Sequence, residues 1–188
     1  MAVEQNKETI DPSRWVDEHG DALFRFAILR VRNEELAADL VQDTFLSALK
    51  ARDGFRGGST VRTWLTGILK HKIIDYYRKH KVEIPEADLG PDFPEGLLQH
   101  APSLSPAWDE APSSLVENRE FWGVLSGCLC KLPEAQRRAF SMREFDGMTT
   151  EEIRKVLDVT STNLWVMLHR ARAGLRRCLE TNWFSNER

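Results

Sequence analysis

Apolar residues along this chain recur at intervals of three and four, and nowhere in sustained alternation, so the pattern predicts helices and no strands. Leu36, Leu40, Val41, Phe45, Ala48 and Leu49 trace one helix face. Val61, Trp64, Leu65, Ile68, Leu69, Ile73, Ile74 and Tyr77 trace another. Between them Gly54, Gly57 and Gly58 mark a loop over residues 53–60. Upstream, Trp15, Leu23, Phe26, Ala27 and Val31 predict an earlier helix, interrupted at Gly20.

The second half repeats the style without repeating the sequence. Trp122, Leu125, Leu129 and Leu132 stripe one helix, and Pro133 opens the next at a first-turn position, where its missing N–H costs nothing. Thr149 followed three residues later by Glu152 fits a capping box. That short helix turns Ile153, Val156 and Leu157 inward, Asp158-Val159-Thr160 ends it, and a longer helix buries Leu164, Leu168, Ala171 and Leu175. A short capped helix, a three-residue turn and a longer helix form the helix-turn-helix pattern, whose second helix enters a DNA major groove. Plain helical corners share this pattern, so alone it leaves both readings open.

Charge divides the chain more sharply than hydropathy does. The 188 residues carry a net −3, but residues 1–80 hold +1, residues 81–114 hold −6 and residues 115–188 hold +2. The middle segment also contains six of the eight prolines, a density few helices survive. The expected fold is therefore all-α. Two small helical domains, 1–80 and 115–188, are joined by an acidic proline-rich linker over 81–114, with the helix-turn-helix in the second. No apolar run is long enough to span a membrane, and the N-terminus has no basic start followed by an apolar stretch, so a cytoplasmic chain without membrane insertion is expected.

Three cysteines, Cys128, Cys130 and Cys178, are too few and too oddly spaced for a disulfide framework. With His169 they match no common zinc spacing, and Cys128 and Cys130 point to different helix faces, so buried thiols are expected and no metal site. No nucleophile–base constellation or phosphate-binding glycine motif is present, which argues against an enzyme and against a cofactor.

Two stretches together resemble bacterial sigma factors of the extracytoplasmic-function (ECF) group. Ala38-Asp39-Leu40-Val41-Gln42-Asp43-Thr44-Phe45-Leu46, with Phe55-Arg56-Gly57, Thr63-Trp64-Leu65 and Ile68 following, is similar to sigma region two. Leu132-Pro133-Glu134-Ala135-Gln136-Arg137, the helix-turn-helix, and Leu168-His169-Arg170-Ala171-Arg172 with Leu175-Arg176 resemble region four. The resemblance implies RNA polymerase core, promoter DNA and an anti-sigma factor as partners. It puts Asp39, Gln42 and Asp43 on the clamp-helix coiled coil of the polymerase largest subunit, where carboxylates and an amide suit a basic surface. It implies that the minus-ten element is melted and held by the loop at Arg56 and Gly57 and by Arg62, Trp64, Lys70 and His71. Trp64 reads equally as a core aromatic. The acidic tether is expected to thread the polymerase RNA channel.

This chain departs from the family pattern twice. His71 stands where asparagine is frequent, so one donor and one acceptor replace a two-sided amide. The recognition helix lacks the usual lysine and arginine near its start, leaving Ser161, Thr162, Asn163 and an outward Trp165 for base contacts in the minus-thirty-five element. Arg170, Arg172, Arg176 and Arg177 are left for phosphates. Trp165 reads alternatively as packing on the tether or the preceding helix, and Trp183 and Phe184 as a partner contact or a helix end. Two rival functions remain: a stand-alone helix-turn-helix regulator, which binds duplex DNA without polymerase, and a helical adaptor with no DNA role.

Overall fold

The computed structural model describes residues 11–55, 57–84 and 119–184, and these form two compact units, the first ending at Lys79 and the second beginning at His80. Among the described residues there are helices and no strands. Most of the expected linker, and Arg56, lie outside the described residues.

The first unit packs three helices, α1 (Trp15–Val31), α2 (Glu34–Ala51) and α3 (Val61–Lys79). The Asp11 carboxylate accepts from the Ser13 N–H at 3.0 Å and starts the 3-10 turn that leads into α1. This carboxyl is held below its ordinary value, first by the Ser13 side-chain hydrogen bond. Helix α1 runs unbroken through Gly20, contrary to the interruption expected there. A glycine in a helix costs about 1 kcal/mol relative to alanine; burial of Trp15, Leu23 and Ala27 on either side outweighs it. The helix ends at Arg32, in the left-handed region at φ 55°, whose N–H closes on the Ile28 carbonyl at 3.0 Å. Asn33 then caps α2, accepting from the Leu36 N–H at 2.9 Å.

Helix α2 buries Ala37, Leu40, Val41, Thr44 and Ala48. Leu49, expected in that stripe, is exposed; Thr44 is buried instead because its hydroxyl donates to the Leu40 carbonyl at 2.7 Å. Helix α3 contributes Leu65, Leu69, Ile73, Ile74 and Tyr77 to the core, and the Tyr77 hydroxyl donates to the Arg30 carbonyl at 2.9 Å, tying the far ends of α1 and α3. Arg30 is itself buried, its guanidinium 3.4 Å above the Phe26 ring centroid and donating to the Phe26 carbonyl.

The second unit holds α4 (Arg119–Cys130), α5 (Glu134–Phe140), α6 (Thr150–Leu157) and α7 (Ser161–Leu179), with π-helical turns over Ser141–Phe145 and Glu180–Phe184. Its core gathers Phe121, Leu125, Cys128, Leu129 and Leu132 against Ala171, Leu175 and Leu179 of α7. The expected α4 stripe is off by one position at its start: Phe121 is buried and Trp122 is exposed. Trp183 and Phe184 pack on the same core, Trp183 edge-on to Phe121 with ring centroids 5.5 Å apart. Pro133 precedes α5 as its cap with ψ 144°, one position before the first turn expected for it.

The thiol expectation is overturned. Cys128 and Cys178 form a disulfide with Sγ atoms 2.06 Å apart and Cα atoms 5.7 Å apart. Counting cysteines along the sequence misses it because the two meet only when α4 packs beside the last turn of α7. In the chain-entropy account, closing a loop of this length stabilises the folded unit by about 4 kcal/mol. Cys130, two residues on, is free and half-buried. Among the described residues no helix is long and apolar enough to cross a membrane.

Candidate polymerase and nucleic-acid interfaces

Asp39, Gln42 and Asp43 are all exposed on α2. At about 100° per residue, Leu46 and Leu49 fall on the same side of the helix, and both are exposed, Leu46 at 56%. The face is thus an acidic and amide strip continued by two leucines. The sequence stripe concealed them by suggesting Leu49 was core; the signal that could find them is their rotation onto the side of Asp39 and Gln42. Lys72 of α3 reaches to 3.8 Å from the Asp43 carboxylate, so Asp43 is partly neutralised while Asp39 faces solvent.

The loop before α3 and the helix itself present the second surface. Gly57 sits at φ +72° with open space around it, a backbone conformation that glycine adopts without strain. The Thr60 hydroxyl accepts from the Thr63 N–H at 3.2 Å and starts α3. Arg62 and His71 are exposed and Lys70 is half-buried. Trp64 is half-buried between Phe55, with ring centroids 4.8 Å apart, and Trp15, edge-on at 5.8 Å. One aromatic therefore joins the core to the loop's edge.

In the second unit the helix-turn-helix is built as its sequence implies. The Glu152 N–H donates to the Thr149 hydroxyl at 3.3 Å and the Thr149 N–H donates to the Glu152 carboxylate at 2.8 Å, completing the capping box. Ile153, Val156 and Leu157 are buried. Asp158, left-handed at φ 58°, ends α6 with its N–H on the Arg154 carbonyl at 2.8 Å, and the Arg154 guanidinium donates to the Val159 carbonyl. The Asp158 carboxylate accepts from Lys81 at 2.5 Å, and that hydrogen bond and charge hold its pKa below the ordinary 3.8. Thr160 then caps α7, accepting from the Asn163 N–H at 3.1 Å. Arg143 fixes the entry to α6 by donating to the Met148 carbonyl and to the Thr150 hydroxyl, a role the sequence reading did not assign.

On α7, Ser161 and Thr162 are exposed and Asn163 is half-buried. Trp165 is half-buried too, not fully outward as expected, because the buried arc of α7 includes Val166 and Met167 and is wider than one stripe. Arg170, Arg172 and Arg176 are partly exposed along the rest of the helix. Arg172 donates to Glu144 at 2.7 Å and Arg176 to Glu180 at 2.9 Å.

A three-helix unit with an acidic–apolar face and a basic helix, followed by a capped helix-turn-helix unit, defines a helical DNA-binding transcription factor. Family comparison narrows the class. The Sigma-70 region 2 family matches residues 15–82 and the Sigma-70 region 4 family matches residues 123–175. The chain is 37% identical over 162 residues to a probable RNA polymerase sigma factor of Haemophilus influenzae, covering 84% of each. It is 31% identical to RNA polymerase sigma factor YlaC of Bacillus subtilis, covering 82% of this chain and 84% of that one. It is 29% identical to the ECF sigma factor SigM of the same organism, covering 82% and 86%. The protein belongs to the ECF RNA polymerase sigma factors, and its function is to direct RNA polymerase in transcription initiation.

Proposed function

We propose that the two units divide promoter recognition between them, acting by binding alone while seated on core polymerase in the cytoplasm. The α2 strip of Asp39, Gln42 and Asp43, extended by Leu46 and Leu49, docks on a basic, partly apolar helical surface of the polymerase. The glycine loop at Arg56 and Gly57, with Arg62, Trp64, Lys70 and His71, melts and holds the minus-ten element. Ser161, Thr162, Asn163 and Trp165 read the minus-thirty-five element, and Arg170, Arg172 and Arg176 hold its phosphates, Arg172 and Arg176 exchanging Glu144 and Glu180 for phosphate oxygens. The acidic segment over 81–114 joins domains 1–80 and 115–188 and follows the polymerase RNA channel. An anti-sigma factor covers one or both of these faces when the protein is silent.

The observation that carries this reading is the α2 strip: polar at Asp39 and Gln42, apolar at Leu46 and Leu49, and exposed throughout. Core binding by the Asp39→Arg, Gln42→Ala double variant tests it. Charge reversal against a basic face is expected to weaken binding by about 2–5 kcal/mol with an unchanged circular dichroism spectrum. Wild-type binding of core by the folded variant would remove the assigned face.

A further inference from the structure

We propose that Cys128 and Cys178 form a reversible thiol–disulfide couple that sets the stability of the helix-turn-helix unit according to the oxidant around it. The two cysteines differ in reach. Cys128 lies at 2% exposure within the core of Phe121, Leu125, Leu129, Leu175 and Leu179, while Cys178 is half-buried on the last turn of α7. The Asn182 side-chain amide donates to the Cys178 carbonyl at 2.7 Å and lies 3.5 Å from its sulfur. Cys178 is therefore the sulfur that meets reagents from solvent, and Cys128 is the sulfur that resolves.

Oxidation by a peroxide balances in two steps. The Cys178 thiol attacks the O–O bond, becomes a sulfenic acid and releases one water. The Cys128 thiol then attacks the Cys178 sulfur, forming the S–S bond and releasing the second water. A dithiol reductant reverses this by attacking Cys178, with Cys128 leaving as thiol into the core. Its second thiol then frees Cys178, and the reductant carries away the electrons as its own disulfide.

The bridge is placed where this chemistry has mechanical effect. Between its ends lie α5, α6 and nearly all of α7, so the whole helix-turn-helix sits inside the closed loop. The bridge fixes α4 to the end of α7, and the tail bearing Trp183 and Phe184 folds over the same place. Reduction removes the covalent tie across this seam and returns the loop's entropy to the unfolded chain. The first unit contains no cysteine and stays untouched.

Full-length protein treated with hydrogen peroxide or with dithiothreitol tests the proposal. Maleimide labelling after denaturation should count one thiol in the peroxide form, Cys130, and three in the dithiothreitol form. Reduction should lower the unfolding midpoint of the second unit by about 5 °C or more. Cys178→Ser, at the more tolerant position, should match the reduced wild type in both conditions, and Cys130→Ser should keep the full response. A bridge that resists dithiothreitol in the folded protein would be a static staple and would overturn the proposal. So would equal midpoints in the two forms, or a redox response retained by Cys178→Ser.

Discussion

Asp158 shows how one residue can serve both chain direction and charge. Its left-handed backbone ends α6, and its carboxylate meets Lys81. Because that carboxyl titrates below 3.8 in the folded protein, its contribution to stability is present above the unfolded value and fades as pH falls through the lower folded value. Asp158→Asn tolerates the same backbone and never carries the charge. The gap in urea midpoint between wild type and this variant should therefore be small at neutral pH and close below pH 3.8, as chemical denaturation at several pH values can show. On α7, the proposed base-reading and phosphate-holding side chains should separate on substitution. Asn163→Ala should alter preference at one upstream promoter position, at a cost of about 1–3 kcal/mol there. Arg172→Ala should weaken all promoters alike and flatten the salt dependence, since in the proposed arrangement it removes a phosphate partner rather than a base contact. A promoter-library selection on holoenzyme distinguishes these outcomes. At this scale the capping box was legible because Thr149 and Glu152 are local and complementary in type. Arg32 and Arg143 were not, since nothing in an arginine announces a left-handed turn or a bond to a carbonyl five residues away.

Among elements, α1 is the clearest case of burial overriding local preference. Its glycine suggested a break, yet the helix continues because the residues on both sides share one core. A methyl group added at Gly20 would meet only Val16, at an ordinary 3.9 Å. Gly20→Ala should therefore raise stability by about 0.5–1 kcal/mol, read as a higher urea midpoint with unchanged slope. The helix count and the turn after α6 could be read from periodicity, which averages over many positions. The edges of each buried arc could not: Phe121 and Trp122, or Thr44 and Leu49, differ by a rotation that only packing neighbours determine. The same holds at Trp165, whose two readings periodicity left open, since the inward arc of α7 broadens around Val166 and Met167.

For the whole molecule, charge segmentation and two motifs in order made the family legible, but not the pairing of Cys128 with Cys178, which depends on how α4 meets α7. The net charge of −3 has its own consequence for DNA binding. A chain with so little net attraction for phosphates should bind promoter duplex weakly by itself, and tightly only when core polymerase supplies the remaining contacts. Mobility-shift titrations should show a shift with holoenzyme at concentrations where the free protein gives none. A strong shift by the free protein would favour a stand-alone regulator instead.

The disulfide also imposes an order in time. Cys178 follows Cys128 by 50 residues, so during synthesis α4 is made well before its partner cysteine exists. At about 5–20 residues per second, the interval is roughly 3–10 s. For those seconds Cys128 has no Cys178 to pair with, and Cys130 is its nearest thiol along the chain. The native bridge can close only after nearly all of α7 has been made, so its closure always follows the synthesis of both helices of the helix-turn-helix.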